Sequence, residues 1–289
     1  MIITLASGKG GTGKTTVAVN LALSLLPRPV TFLDADVEEP NAGLFLHPTI
    51  ERRERVGLLV PEIDAGKCTL CGKCAEVCRY HALAVVGQQV LFFPELCHGC
   101  GSCALNCAPG AIREVFRPTG TVAIGHAHGM RYAEGVLDVG QTMATPVIRQ
   151  LKELAMPKDL AGDEIVIIDA SPGTACPVVE AMRGADIVLL VTEPTPFGLH
   201  DLRLAVQVAR DELGLPVAVV INRDGVGDSS VDDYCAAEGV PVVMRLPFDR
   251  QIAVAYSDGV PLVLALPSYR PAFSTLFARL RTQLGEVSR

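Results

Sequence analysis

Gly8-Lys9-Gly10-Gly11-Thr12-Gly13-Lys14-Thr15-Thr16 is the stretch of this 289-residue chain whose reading decides the rest. The apolar residues 1–6 before it have the character of a buried strand, and residues 16–26 after it carry apolar side chains at helical spacing. Strand, glycine-rich turn and helix start form the context of a phosphate-binding loop. Gly8, Gly13, Lys14 and Thr15 meet its pattern, G-x-x-x-x-G-K-S/T. Glycine permits backbone conformations closed to other residues and a close approach to the anion. The helix N-terminus adds free N–H groups and the positive end of its dipole. Lys14 is expected at the β- and γ-phosphates and the Thr15 hydroxyl at Mg²⁺.

Lys9 narrows the reading. With it the loop resembles the deviant Walker A motif, K-G-G-x-G-K-S/T-S/T, of the MinD/ParA superfamily of ATPases. The resemblance implies that Gly8, Gly10, Gly11, Thr12, Gly13, Lys14, Thr15 and Thr16 bind ATP with Mg²⁺. It also implies an ATP-dependent homodimer in which Lys9 reaches across to the partner's phosphates.

Residues 30–34 read as a second buried strand that runs into Asp34-Ala35-Asp36-Val37-Glu38-Glu39-Pro40-Asn41. Residues 164–170 read as another, running into Ser171-Pro172-Gly173-Thr174. Acids at the carboxyl ends of parallel strands lie where doubly wound folds bind ligands, although such acids also cap turns. By the same resemblance the first segment is switch I, with Asp36 orienting the attacking water. The second is switch II, with Asp169 near Mg²⁺ and Gly173 offering an N–H to the γ-phosphate. Asn222 and Pro247 fall where the family borders the adenine. Apolar runs at 187–191, 217–222 and 242–246 alternate with helical patterns at 198–213, 231–238 and 252–257. That alternation predicts an α/β fold with a doubly wound, mostly parallel sheet.

From Lys67 the composition changes. Cys68, Cys71, Cys74 and Cys78 form C-x2-C-x2-C-x3-C, and Cys97, Cys100, Cys103 and Cys107 repeat it 29 residues later, an internal duplication. This is the bacterial ferredoxin arrangement, in which the fourth cysteine of each run serves the other cluster. The expected sets are Cys68, Cys71, Cys74 and Cys107 for one [4Fe–4S] cluster and Cys97, Cys100, Cys103 and Cys78 for the other. Zinc sites use two separated ligand pairs and stop at four. The pattern departs from the usual one in placing Arg79, rather than proline, after Cys78, and Pro109 two residues after Cys107. Residues 84–86 and 90–93 around Gly87-Gln88-Gln89 suggest a short hairpin between the runs.

The remaining features exclude more than they assign. A net charge of −7 argues against general nucleic-acid binding, which needs clustered Lys and Arg. No apolar run approaches a membrane span and no leader-like segment opens the chain, so a cytoplasmic location is expected. Ten cysteines there suggest metal binding rather than disulfides. Residues 113–140 carry only short strand-like runs, and His126 and His128 read as solvated. Cys176 and Cys235 lie outside the duplication; Cys176, seven residues past Asp169, has a redox role as an alternative to simple burial. Residues 271–284 are amphipathic and read as a helix docked on the sheet. Arg279, Arg281 and Arg289 leave membrane contact as the less favoured alternative.

The expected organisation is a MinD-like P-loop ATPase domain, residues 1–60 plus 114–289, with a small α+β ferredoxin-like domain inserted at 61–113. The leading expectation is a Mg²⁺-dependent ATPase that couples hydrolysis to electron transfer through two clusters to a redox partner protein. Two others compete with it: an iron–sulfur carrier delivering clusters to an acceptor, and a MinD-like spatial regulator with redox-sensing clusters.

Overall fold

The computed structural model describes residues 1–157 and 162–287. Its strands are β1 (Ile2–Ala6), β2 (Val30–Ala35), β3 (Thr49–Ile63), β4 (Leu83–Val86), β5 (Gln89–Phe92), β6 (Ile112–Ala127), β7 (Met130–Leu137), β8 (Ile165–Ala170), β9 (Ile187–Thr192), β10 (Val217–Asp224) and β11 (Val242–Pro247). The helices are α1 (Lys14–Leu25), α2 (Gly43–Leu46), α3 (Lys73–Val77), α4 (Ser102–Leu105), α5 (Thr145–Ala155), α6 (Cys176–Met182), α7 (Pro196–Val206), α8 (Ser230–Ala237), α9 (Arg250–Ser257), α10 (Leu262–Ala265) and α11 (Arg270–Val287). Among the described residues, every strand except β4 and β5 joins one sheet, in the order β11-β10-β9-β1-β8-β2-β7-β6-β3. Pairing is parallel from β11 to β7 and antiparallel from β7 to β6 and β6 to β3.

The central strands are apolar on both faces because both faces are covered. Ile3, Leu5, Ile165 and Ile167 point into one core with α1 and α11, where Leu21, Phe273, Leu276 and Leu280 are buried. Ile2, Ala6, Val166 and Ile168 point into the other, with Ile148 and Leu151 of α5, Val178 of α6 and Leu202 of α7. The C-terminal helix docks on the sheet, and its Arg279 donates from Nη1 to the Val243 carbonyl at 2.6 Å. Arg281 is exposed and Arg289 lies outside the described residues. Among the described residues no helix is long and apolar enough to cross a membrane.

The sequence reading left residues 49–60 unassigned and gave 113–140 only short strands. The structure instead has a long antiparallel pair, β3 and β6, in register from Thr49 opposite His126 to Ile63 opposite Ile112. Residues 120–127 of β6 also pair with β7. Residues 57–63 and 112–118 therefore continue as a two-stranded arm. The register shifts between Val56 and Gly57, where the arm leaves the sheet; such bulges bend and twist a strand. Only glycine fits at 57, since a Cβ there would lie 2.0 Å from the Arg117 carbonyl oxygen. The Gln150 side chain, on α5, accepts from Gly57 N at 3.1 Å and donates to Gly57 O at 2.7 Å. At the far end Asp64 N donates to Ala111 O at 2.8 Å, and residues 64–111 hang from the arm. They hold α3, the β4–β5 hairpin and α4. His126 accepts or donates at Nδ1 with Glu51, 2.9 Å away in an exposed setting.

Candidate functional site

The loop after β1 ends in Gly13 at φ 89, a left-handed conformation that caps α1. The side chains of Lys14 and Thr15 are buried at the helix start. Gly8 has a reason the sequence reading did not give: a Cβ would lie 2.3 Å from the Asp201 carbonyl oxygen on α7. Gly10 and Gly11 border open space instead, with nothing closer than 4.0 Å to a Cβ at either. Thr12 is buried and its Oγ1 has no partner. Thr16 is half-buried and borders a cleft between α1, α9 and α10.

Asp169, at the end of β8, and Asp36, just past β2, lie near Lys14 of this loop, and Asp34 sits behind them beside Asp169. Asp169 is fully buried; its Oδ2 accepts from Thr15 Oγ1 at 2.5 Å, and its Oδ1 lies 3.6 Å from Lys14 Nζ but accepts no hydrogen bond. Burial raises its carboxyl above the usual range, against the pull of Lys14. Asp34 is also fully buried and accepts the N–H groups of Asp36, Asn41 and Ala42. It thereby fixes the turn after β2, the capping use of an acid. Desolvation, then the neighbouring Asp169, push Asp34 well up. Asp36 is raised by burial and opposed by Lys14. The residues that would hold Mg²⁺ are thus already together, and the Asp169 oxygen that accepts no hydrogen bond fits a cation brought in with phosphate.

Several expected roles meet a different partner. The Gly173 N–H, at a glycine of φ 99, donates to the Ser7 carbonyl at 2.8 Å rather than standing free. Asn222 donates from Nδ2 to the Thr12 carbonyl at 2.8 Å, bracing the loop where a Cβ on Gly13 would collide with it. Pro247 ends β11 exposed, followed by Phe248, whose N–H donates to Asp224 O. Lys9 lies 3.5 Å from Glu193 Oε2 of its own chain. Glu193, at the carboxyl end of β9, is a site neighbour that sequence reasoning missed. Cys176 is exposed in the first turn of α6, and Cys235 is buried in α8, where burial pushes its thiol up to about 11.

The eight remaining cysteines fall into two groups. Cys78, Cys97, Cys100 and Cys103 line one concavity, against Leu59 and Pro61 of β3 and Glu114 of β6. Cys68, Cys71, Cys74 and Cys107 line another, at the arm's end beside Ile63 and Ile112. In each, the fourth cysteine of one run joins the first three of the other. The duplication extends to the backbone: Leu70 and Gly99, Gly72 and Gly101, and His81 and Gly110 all have positive φ and are 29 residues apart. Ala82 N donates to Cys78 Sγ and Ala111 N to Cys107 Sγ, both at 3.3 Å. Tyr80 and His98 stack with centroids 3.6 Å apart at the rim of the first concavity. Among the described residues no three of His, Cys, Asp and Glu converge on a single metal ion. Four thiols spread around a concavity, with N–H groups turned to sulfur, fit the donor set of a polynuclear cluster.

Comparison with known proteins gives this geometry a context. The family described as "CobQ/CobB/MinD/ParA nucleotide binding domain" matches residues 3–262. An uncharacterised protein of Methanocaldococcus jannaschii is 32% identical over 272 residues, covering 90% of each chain. An iron-sulfur cluster carrier protein of Pyrococcus abyssi is 24% identical, over 91% of this chain and 79% of its own. Among solved structures, the septum site-determining protein MinD of Pyrococcus horikoshii, complexed with Mg-ADP, superposes with a TM-score of 0.56 at 20% identity. It covers 95% of this chain and 93% of that one.

Proposed function

The chain belongs to the CobQ/CobB/MinD/ParA nucleotide-binding family, and from that premise we propose an ATPase that couples hydrolysis to electron transfer through two [4Fe–4S] clusters to a partner protein. The observation carrying this reading is the pair of four-cysteine concavities on an arm rooted in the sheet, with β7 alone between its strand β6 and the switch I strand β2.

In this reading the loop amides and Lys14 hold the phosphates, and Thr15 with Asp169 holds Mg²⁺. Asp36 orients water for attack at the γ-phosphorus, as the bond to the departing ADP oxygen breaks. For Gly173 to join, its N–H must exchange the Ser7 carbonyl for phosphate, which couples switch II to the nucleotide. Cys68, Cys71, Cys74 and Cys107 hold one cluster, and Cys78, Cys97, Cys100 and Cys103 the other, when the clusters are bound; these accept and pass on single electrons. Residues 61–113, the end of the arm and the segment it carries, then form the inserted domain, and the working unit is a homodimer.

A route from one site to the other is present in the sheet. Leu137 N donates to the Val37 carbonyl, just past Asp36, at 2.7 Å. The next residue, Asp138, pairs with Arg55 of β3. A shift in switch I therefore reaches the root of the arm through one strand.

Anaerobic reconstitution is expected to give about eight irons per chain, with ATPase rates that differ between oxidised and reduced clusters. Lys14→Ala should abolish nucleotide binding in either state. Equal rates, with clusters passing intact to an apo-acceptor, would favour a carrier, a reading supported by the exposed Cys71 and Cys100. Zinc, or no iron, in anaerobically purified protein would end the cluster reading.

A further inference from the structure

Glu193 lies between two cations. Its Oε2 is 3.5 Å from Lys9 Nζ, and its Oε1 accepts from Arg223 Nη1 at 2.5 Å. Its side chain is only 10% exposed, against 33% for Lys9 and 50% for Arg223. The carboxylate is anchored by its backbone. The Glu193 carbonyl accepts from Thr195 N at 2.8 Å, and a Cβ on Gly198 would sit 2.2 Å from it. Lys9 is the mobile member, a long flexible side chain on a loop whose backbone is pinned by Ser7 Oγ donating to the Lys9 carbonyl at 2.7 Å.

We propose that Glu193 is the positioning residue for Lys9, holding its ammonium within its own protomer until it is drawn to a phosphate bound by a second copy of this chain. This rests on the reading of Lys9 as a group that acts across a dimer. Arg223 makes the release possible. A nearly buried carboxylate stripped of its only partner is strongly unfavourable, but here the Glu193–Arg223 pair remains after Lys9 leaves. The two residues should thus have opposite effects. Removing the carboxylate frees Lys9, whereas removing Arg223 leaves Lys9 as the counter-charge to Glu193 among the described residues and holds it back.

Sedimentation velocity with Mg²⁺ and a non-hydrolysable ATP analogue reads this directly in the intact protein. A partly exposed ion pair contributes about threefold per protomer, and two are undone in each dimer. Glu193→Gln is therefore expected to lower the dimer dissociation constant by roughly tenfold. Arg223→Gln should raise it, and Lys9→Ala should give no dimer. If Lys9→Ala prevents dimerisation but Glu193→Gln leaves the dimer unchanged or weaker, the positioning role is overturned while the reading of Lys9 stands. If Lys9→Ala dimerises like the parent, the reading of Lys9 fails and this role fails with it.

Discussion

Asp36 shows how a single residue carries a conflict between stability and chemistry. Burial raises its carboxyl above the usual range, and Lys14 only partly offsets this. A carboxyl with a folded pKa above its unfolded value holds its proton more tightly when folded. The stabilisation is complete below the ordinary carboxylate range and is lost as pH rises through the folded pKa. Asp36→Asn removes the charge that is costly at neutral pH. In calorimetry of the nucleotide-free protein, the variant should melt above the parent at pH 7–8, and the gap should close below about pH 4. On the proposed role of Asp36 in orienting the attacking water, hydrolysis should fall by about 10²-fold or more. A variant that melts lower at pH 8 would contradict the assigned burial cost.

At the scale of elements, α7 joins several parts of the site. Its N-terminal cap, Thr195, accepts from Gly198 N through Oγ1 at 3.0 Å, and its Asp201 backbone crowds Gly8. Thr195→Ala is expected to cost about 1 kcal/mol, read as a lower denaturant midpoint. It should also weaken nucleotide affinity, because the loop rests on this helix. Gly8 was legible in the sequence as part of a motif, and a helix over 198–213 was too, but the approach of that helix to Gly8, which excludes a side chain there, was not. The same limit hid Glu193, whose importance comes from a tertiary approach to Lys9 that no local pattern encodes. The central strands were legible because burial on both faces leaves continuous apolar runs. The first half of β3 was not, because residues 49–55 are largely solvated and carry no apolar period, as in Arg52-Arg53-Glu54-Arg55. The cysteine spacing needed no such period, since it is written in the residue order itself.

At the scale of the whole molecule, the cysteine-bearing segment touches the rest through a narrow neck. Arg117 of β6 reaches Glu95 at 4.0 Å, and Val60 of β3 packs with Ala82 and Cys97. Replacing residues 64–111 with a two-residue Asn-Gly turn joins strands that are already paired at Ile63 and Ile112. Calorimetric titration of that variant should give a nucleotide affinity within about threefold of the parent, a shift of less than 1 kcal/mol. The dependence of ATPase rate on reductant should vanish. The bend at Gly57 sets the mechanics of the intact chain. The six residues of extended strand beyond it, 58–63, span about 20 Å, so the arm would act as a lever with its fulcrum in the sheet. A tilt of about 10° at that pivot would sweep its tip through roughly 3.5 Å. A displacement too small to see at a phosphate would then be magnified into one large enough to change which neighbour an outlying thiol can reach.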